Sequence, residues 1–202
     1  MKKIMLMMGI IIISVNMYST SANEYFTRAD TLLKNKQYQQ AAVNYLRAFE
    51  LYKSSGKTPN VWHVIHYTSM LFYEMNNRDA AYAFMIQMKS IYPKNPLFYY
   101  HFANMYSNAQ DYQNAIQYYM TAHQLYQREG NKPPLHLFSS VIHIYGNTLK
   151  NIPQFRKYLL EALSLYGNDP NLHYSAGNVF NSEKDYPNAL KHYNKAYSLY
   201  QA

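Results

Sequence analysis

The chain has 202 residues, a formal net charge of +8 at pH 7 and no cysteine. This length suits one compact domain or one short array of repeats. The lack of cysteine excludes disulfides, thiolate metal sites and a cysteine-linked lipid. Apolar residues make up 49% of the chain, Tyr contributes 24 residues and Gly only 6. Few runs of Val, Ile and Thr alternate with polar residues, so the composition favours helices over strands.

Residues 1–22 have the order of a secretory signal peptide. Lys2 and Lys3 precede an apolar run at residues 4–15, and small residues follow as far as Ala22. This run is shorter than the ~20 apolar residues that a membrane span needs. We expect export to a bacterial periplasm with cleavage after Ala22, which would lower the net charge to +6 (17 basic minus 11 acidic residues). An uncleaved inner-membrane anchor is the alternative.

One segment of the chain occurs twice. DYQNAIQYYMTAHQLY begins at Asp111 and DYPNALKHYNKAYSLY begins at Asp185, with half of the positions identical. Looser copies occupy residues 37–52, 77–92 and 153–166. Small and apolar residues recur at intervals of three or four within each copy, which predicts an apolar stripe along a helix. A second helical pattern precedes each copy, so the repeating unit is helix A, a short turn and helix B.

Longer and shorter intervals between successive units alternate. The residue that ends each copy shows this spacing: Tyr52, Tyr92, Tyr126, Tyr166 and Tyr200. The longer intervals contain KSSGKTPN at residues 53–60 and QREGNKPP at residues 127–134, with Gly and Pro at matching offsets. Gly commonly follows the end of a helix and Pro commonly lies at the start of the next one. The underlying period is therefore a pair of units, equal to the offset from Asp111 to Asp185, and we call it the paired period.

These units resemble the tetratricopeptide repeat family, whose helix A carries large, small and aromatic residues and whose helix B carries Ala, an aromatic and Ala. The clearest copies are the third, with Tyr99, Phe102, Ala103, Tyr106, Ala115, Tyr119 and Ala122, and the fifth, with His173, Ala176, Gly177, Phe180, Ala189, Tyr193 and Ala196. The fourth copy departs most, because Phe155 stands where the family has a small Ala.

The resemblance implies an all-α, right-handed superhelical solenoid of about five helix-turn-helix repeats over residues 23–202. The repeats are expected near residues 23–55, 62–95, 96–129, 136–169 and 170–202. Because one helical hairpin cannot bury its apolar face alone, stacked copies would share a core. The implied function is a non-catalytic scaffold or adaptor that binds another protein of the cell envelope.

In this family the A helices line a concave groove, and an extended peptide of the partner lies along it. The residues at the corresponding positions are predicted to bind the peptide: Asn104, Asn178, Tyr100, Tyr174, Asn108, Asn181, His66, Met70 and Tyr73. Asn104 and Asn178 fall where the family often holds a peptide backbone, because an amide can donate and accept at once. A solvated helix face is the other interpretation. Lys34 is the only basic residue at the positions considered, so a carboxylate clamp is not expected.

Other functions find little support in the sequence. His63 and His66 could form a metal-binding pair, but spacing fixes no third ligand, and zinc normally takes three or four. We find no Gly-rich phosphate loop, nucleophile elbow or HExxH motif, and the basic residues are scattered rather than striped. We therefore expect no cofactor, no metal, no catalysis and no nucleic-acid partner.

Two further features remain open in the sequence. The Tyr that recurs at the end of every helix B, from Tyr52 to Tyr200, is expected to pack over the following turn; contact with a ligand is the alternative. The last helix is followed by no polar capping helix, and terminal repeats usually need a polar outer face. A second functional hypothesis is therefore an oligomer-forming structural subunit, such as a homodimer, that docks through this helix.

Overall fold

The computed structural model describes residues 21–202, and all of its regular elements in this range are helical. The all-α prediction is confirmed for this range. The chain divides into two compact units, one ending at Pro59 and the other beginning at Asn60. None of the helices in residues 21–202 combines the length and the hydropathy that crossing a bilayer requires. The predicted signal peptide falls almost wholly outside the described range.

Within the described range, α-helices and two π-helical turns form five hairpins. The first unit contains α1 (Ala22–Lys34) and α2 (Tyr38–Ser54). The second unit contains α3 (Val61–Ser69), the first π-turn (Met70–Glu74), α4 (Arg78–Met88), α5 (Pro96–Asn108), α6 (Tyr112–Arg128), α7 (Leu135–His143), the second π-turn (Ile144–Thr148), α8 (Ile152–Leu165), α9 (Pro170–Ser182) and α10 (Tyr186–Tyr200). Each predicted repeat corresponds to one hairpin.

The backbone follows the paired period closely. Helices α1, α5 and α9 are equal in length and begin one paired period apart, at Ala22, Pro96 and Pro170. The turn residues with positive φ keep the same spacing: Lys36, Gln110 and Lys184 in the odd hairpins, Asn76 and Lys150 in the even ones, and Gly56 and Gly130 in the long connections. The two π-turns keep it as well, so a pair of hairpins is the unit that the chain repeats.

Most of the α-helices in residues 21–202 begin after a polar residue whose side chain caps them; α2 and α7 are the exceptions. Ser21 accepts from the backbone of Glu24, and the Glu24 side chain accepts from the backbone of Ser21 in return, which forms a capping box at α1. Asn95 and Asp169 accept from the third backbone N–H of α5 and α9 respectively, and each helix has Pro at its first position. These caps satisfy N–H groups that have no partner within the helix.

Small residues let the two helices of a hairpin approach closely. In the third hairpin Ala103, Ala115 and Ala122 are fully buried. In the fifth hairpin Gly177 replaces the first of these, and a Cβ added there would lie 2.5 Å from ring atoms of Tyr193. The Tyr193 ring therefore lies directly against the backbone of α9.

The fourth hairpin exchanges a large and a small residue between its helices. Gly146 stands where the other hairpins have Leu32, Phe72, Tyr106 and Phe180, and Phe155 stands where they have Ala. A Cβ added to Gly146 would lie 2.6 Å from Cδ2 of Phe155. The Phe155 ring thus occupies space that helix A fills elsewhere, and the departure from the family pattern is compensated within the same hairpin.

Three of the recurring Tyr residues, which lie in or just after the last turn of a B helix, donate hydrogen bonds through their hydroxyls. The hydroxyl of Tyr166 donates to the carbonyl of Pro133 at 2.8 Å. In the first hairpin Tyr52 donates to Asn23 of α1 at 2.7 Å, and in the fifth Tyr200 donates to Asn171 of α9 at 2.6 Å. These bonds connect the end of helix B to the start of its own helix A or to the connection before it.

We predict that Gly146→Ala lowers the free energy of unfolding by about 1–3 kcal/mol, because the added Cβ collides with the Phe155 ring. Urea denaturation followed by circular dichroism measures the change. In a Phe155→Ala background the same Gly146→Ala change should cost much less, since the ring is then absent. A Gly146→Ala protein as stable as wild type would contradict the inference that the Phe155 ring fills the space beside Gly146.

Candidate functional site

A tyrosine hydroxyl on helix B donates to a side-chain oxygen on helix A in each odd hairpin. The pairs are Tyr45 with Asp30, Tyr119 with Asn104 (2.6 Å) and Tyr193 with Asn178 (2.8 Å). Burial raises the pKa of Tyr119, so its hydroxyl keeps its proton and remains a donor. These bonds tie the two predicted peptide-binding Asn residues to their own hairpins through Oδ1.

The same positions in the even hairpins are apolar and buried. Met70 and Met85 occupy them in the second hairpin, and Ile144 and Leu159 occupy them in the fourth. Met70 is only 1% exposed, so its side chain is not available to a ligand. The structure therefore places Met70 in the packed interior of the second hairpin, and its role in peptide binding stays a prediction. The prediction assumed that the same position is polar on every helix A. In this chain the pair formed by that position and its contact on helix B is polar in the odd hairpins and apolar in the even ones.

A cleft of about 570 Å³ lies between the A helices of the fourth and fifth hairpins. We name it the α7–α9 cleft. Its apolar lining is buried or half-buried and consists of Leu135, Ile142, Gly146, Phe155, Leu172 and Val179, with the more exposed Ile152. Its polar lining consists of the half-buried Asp169 and Ser175 and the exposed Ser139, His143, Asn147, Asn171, Tyr174, Asn178 and Ser182. Apolar walls with a few polar groups are typical of binding pockets, which span ~300–1,000 Å³.

The second π-turn forms part of the wall of the α7–α9 cleft. Gly146 and Asn147 belong to this turn, and His143 immediately precedes it. The Asn147 amide donates to Nδ1 of His143 at 3.0 Å, which leaves Oδ1 of Asn147 able to accept. π-helical turns inside helices occur frequently at functional sites.

Two of the predicted site residues, Asn178 and Tyr174, line the α7–α9 cleft. Tyr174 is 54% exposed, and its ring centroid lies 5.8 Å from that of Tyr193. Asn181 is exposed on the same helix but does not belong to the lining. The fifth hairpin thus brings part of the prediction into a concave site.

The remaining predicted residues lie on the second and third hairpins. Tyr100 is half-buried, with its ring centroid 4.6 Å from that of His136. Asn108 donates to the hydroxyl of Tyr73 at 3.0 Å, so these two residues contact each other. The His66 ring is half-buried and lies 6.4 Å from that of Trp62. These residues do not line the α7–α9 cleft.

Two hydrogen bonds join α5 to helix A of the second hairpin. The residues that form them lie one paired period before residues that line the α7–α9 cleft. His101 of α5 donates through Nε2 to the hydroxyl of Thr68 of α3 at 2.9 Å, because that hydroxyl itself donates to the carbonyl of Val64. Asn108 and Tyr73 form the second bond. We call these two contacts the cross-helix bonds.

The corresponding residues in the cleft are smaller or apolar. Ile142 and Ser175 replace the Thr–His pair, and Asn147 and Ser182 replace the Tyr–Asn pair. Hydrogen bonds between the members of these pairs are absent in the described part of the chain. The A helices of the second and third hairpins, which form the first copy of the paired unit, are therefore bonded to each other. Between the A helices of the fourth and fifth hairpins, which form the second copy, a cleft is left instead.

The lining of the α7–α9 cleft contains one carboxylate, although the whole chain is basic. That carboxylate is Asp169, whose Oδ1 accepts from the backbone N–H of Leu172 at 2.9 Å and caps α9. The lining contains no Lys or Arg. Hydrogen bonding and apolar contact are therefore the chemistry that the cleft offers.

The tetratricopeptide repeat family matches residues 97–129, which cover the third hairpin. No curated protein matches the chain. Among solved structures, MamA from Desulfovibrio magneticus RS-1 is 12% identical, with a TM-score of 0.65 over 89% of this chain and 95% of that one. PilF from Pseudomonas aeruginosa is 17% identical, with a TM-score of 0.63 over 88% and 75%. Yeast Tom70 is 17% identical, with a TM-score of 0.62 over 90% and 37%. The fold is that of tetratricopeptide-repeat proteins.

We predict that the buried His101 makes stability fall in acid. Burial, and then the nearby His66, lowers the pKa of His101 to about 4. The unfolded chain takes up this proton near pH ~6.5. The folded chain therefore has its full stability above about pH 6.5 and loses up to about 3 kcal/mol as the pH falls to about 4.

Urea denaturation at pH ~7.5 and pH ~4.5, on either side of the unfolded-state pKa, measures this loss. The matched control is the Thr68→Ile, His101→Ser variant, which carries the pair that the chain itself has at Ile142 and Ser175. The variant should lose clearly less stability than wild type over this range. An equal loss in both proteins would show that other groups cause the acid sensitivity.

Proposed function

We propose that this protein is a non-catalytic adaptor of the bacterial cell envelope that holds an extended segment of a partner protein in the α7–α9 cleft. The observation that carries the proposal is the cleft itself, which lies between two A helices and has apolar walls with a more exposed polar lining. The similarity in fold to tetratricopeptide-repeat proteins supports a role in binding rather than in catalysis.

Asn178 and Asn147 supply complementary groups for a peptide backbone. Oδ1 of Asn178 accepts from Tyr193, while its Nδ2 has no hydrogen-bond partner within residues 21–202, so it can donate to a peptide carbonyl. Oδ1 of Asn147 can accept from a peptide N–H, because the amide nitrogen of that residue is already directed at His143. One donor and one acceptor suit an extended strand, which exposes both groups.

The N-terminal pattern supports the location in the envelope. Lys2 and Lys3, the apolar run and the small residues up to Ala22 have the order of an export signal. Export would place the cleft among envelope proteins. An uncleaved signal segment would place it beside the inner membrane instead.

We expect Asn178→Ala to weaken binding of a groove peptide by roughly tenfold, because the backbone donor is lost. Immobilised full-length protein selects peptides from a random display library, and each selected peptide is then titrated against the variants by fluorescence polarisation. The matched control is Tyr193→Phe, which removes the same intramolecular hydrogen bond but keeps the Asn178 amide.

Both substitutions should cost about 0.5–1.5 kcal/mol of stability through loss of the Tyr193–Asn178 bond. A difference in peptide affinity between them therefore reports the amide and not the fold. If the selected peptides bind both variants as tightly as wild type, the cleft is not the binding site.

A second candidate function is a structural subunit that associates through α10. Leu190 and Tyr197 of this helix are 60% and 64% exposed. The residue equivalent to Tyr197 in α6 is His123, which is 6% exposed and packs edge-on against Phe138 of α7. The face of α10 that in α6 contacts the next hairpin is therefore uncovered in the described chain.

If the protein associates through this face, it should form a dimer that Tyr197→Asp disrupts, because a carboxylate would have to be buried in an apolar contact. Light scattering coupled to chromatography over a wide range of concentrations detects the dimer. Lys195→Asp serves as the control, because Lys195 is exposed on the opposite side of α10 from Tyr197. A strict monomer at all concentrations would exclude this candidate.

A further inference from the structure

The two copies of the paired unit carry different residues at the positions of the cross-helix bonds. This difference determines which ligand the cleft in the second copy can bind. In the first copy His101 and Tyr73 extend between neighbouring A helices. In the second copy Ser175 and Asn147 stand in their places, and the space between the helices is lined by side chains that do not bond across it. A ligand of the cleft would therefore occupy space that protein side chains fill in the first copy.

The inner lining of the cleft is apolar. Ile142, Leu172 and Val179 are buried and lie on the two A helices, and Phe155 adds an aromatic ring from α8. Gly146 has no side chain to cover this ring. A polar group inserted among these residues would lose its hydration without gaining a partner, whereas an apolar group would be removed from water.

The charge of the lining also restricts the ligand. Asp169 is its only carboxylate, and Lys and Arg are absent from it. An anionic side chain would find no Lys or Arg to pair with and would be repelled by Asp169. The exposed Asn147 and Asn178 at the outside of the cleft instead match a neutral peptide backbone.

We propose that the α7–α9 cleft selects its partner by one large apolar side chain of an extended, uncharged segment, inserted between Ile142, Phe155 and Leu172 while Asn147 and Asn178 hold the backbone beside it. This inference rests on the proposed adaptor function and specifies the chemistry of the segment. Gly146 and Ser175 determine the specificity, because larger residues at these positions would fill the space.

Blocked amino acids provide probes with one side chain between two amide groups. The full-length protein, with labelled methyl groups on Ile, Leu and Val, is titrated by NMR with N-acetyl-tryptophanamide, N-acetyl-leucinamide, N-acetyl-alaninamide and the amide of N-acetyl-glutamate. The Trp and Leu probes should shift the methyl signals of Ile142, Leu172 and Val179 saturably. The Ala and Glu probes should bind at least tenfold more weakly.

The chain supplies the variants that close the cleft. Asn147→Tyr with Ser182→Asn recreates the pair found at Tyr73 and Asn108, and both positions are exposed, so the fold should tolerate the change. Ile142→Thr with Ser175→His recreates the pair found at Thr68 and His101 and serves as an independent closing variant. Each should weaken binding of the Trp and Leu probes by at least tenfold.

Three results would overturn the inference: no saturable shift with the Trp and Leu probes, tighter binding of the Glu probe, or unchanged binding by both closing variants. The peptide-display experiment described above distinguishes failure of this inference from failure of the proposed adaptor function. If selected peptides depend on Asn178 but lack a large apolar residue, the adaptor stands and the apolar anchor is wrong. If neither peptides nor probes depend on the cleft, both proposals fail.

Discussion

The hydrogen bond from a helix B tyrosine to a side-chain oxygen on helix A constrains much of this molecule. In the fifth hairpin the Tyr193 ring lies directly against the backbone of α9 as its hydroxyl reaches Asn178, and a Cβ added to Gly177 would lie 2.5 Å from this ring. The bond also fixes the amide so that Oδ1 points into the hairpin and Nδ2 remains for other contacts. Asn178 thus contributes to stability through Oδ1 and to the proposed binding through Nδ2.

This bond occurs only in alternate hairpins within residues 21–202, and the α7–α9 cleft lies where an even hairpin meets an odd one. Odd hairpins carry the Tyr–Asn or Tyr–Asp pair, whereas even hairpins carry buried apolar pairs such as Ile144 and Leu159. The even A helices end in π-turns, and the second of these gives Gly146 and Asn147 to the cleft. The α7–α9 cleft therefore has one wall from an even hairpin and one wall from an odd hairpin.

The sequence predicted what depends on local spacing and missed what depends on contacts between helices. The intervals of three and four residues and the Gly–Pro connections were enough to predict five helical hairpins and the paired period. They also led to Asn178 and Tyr174, which line the cleft. They could not predict the π-turns, which are defined by backbone hydrogen bonds such as Leu149 to Ile144. The burial of Met70 was missed because it depends on the apolar residue at the partner position in α4, Met85, and not on the offset of Met70 itself.

The paired period has a consequence for how such an array could change in length. Insertion or loss of a single hairpin would place two hairpins of the same parity side by side, so that two π-turns or two Tyr–Asn pairs would become neighbours. Insertion or loss of a whole pair would preserve every junction that already exists in the chain. Natural or engineered variants should therefore differ by even numbers of hairpins. Each added pair would contain a new cleft. The residues of that pair at the positions of Gly146 and Ser175 would decide whether the cleft is open or filled.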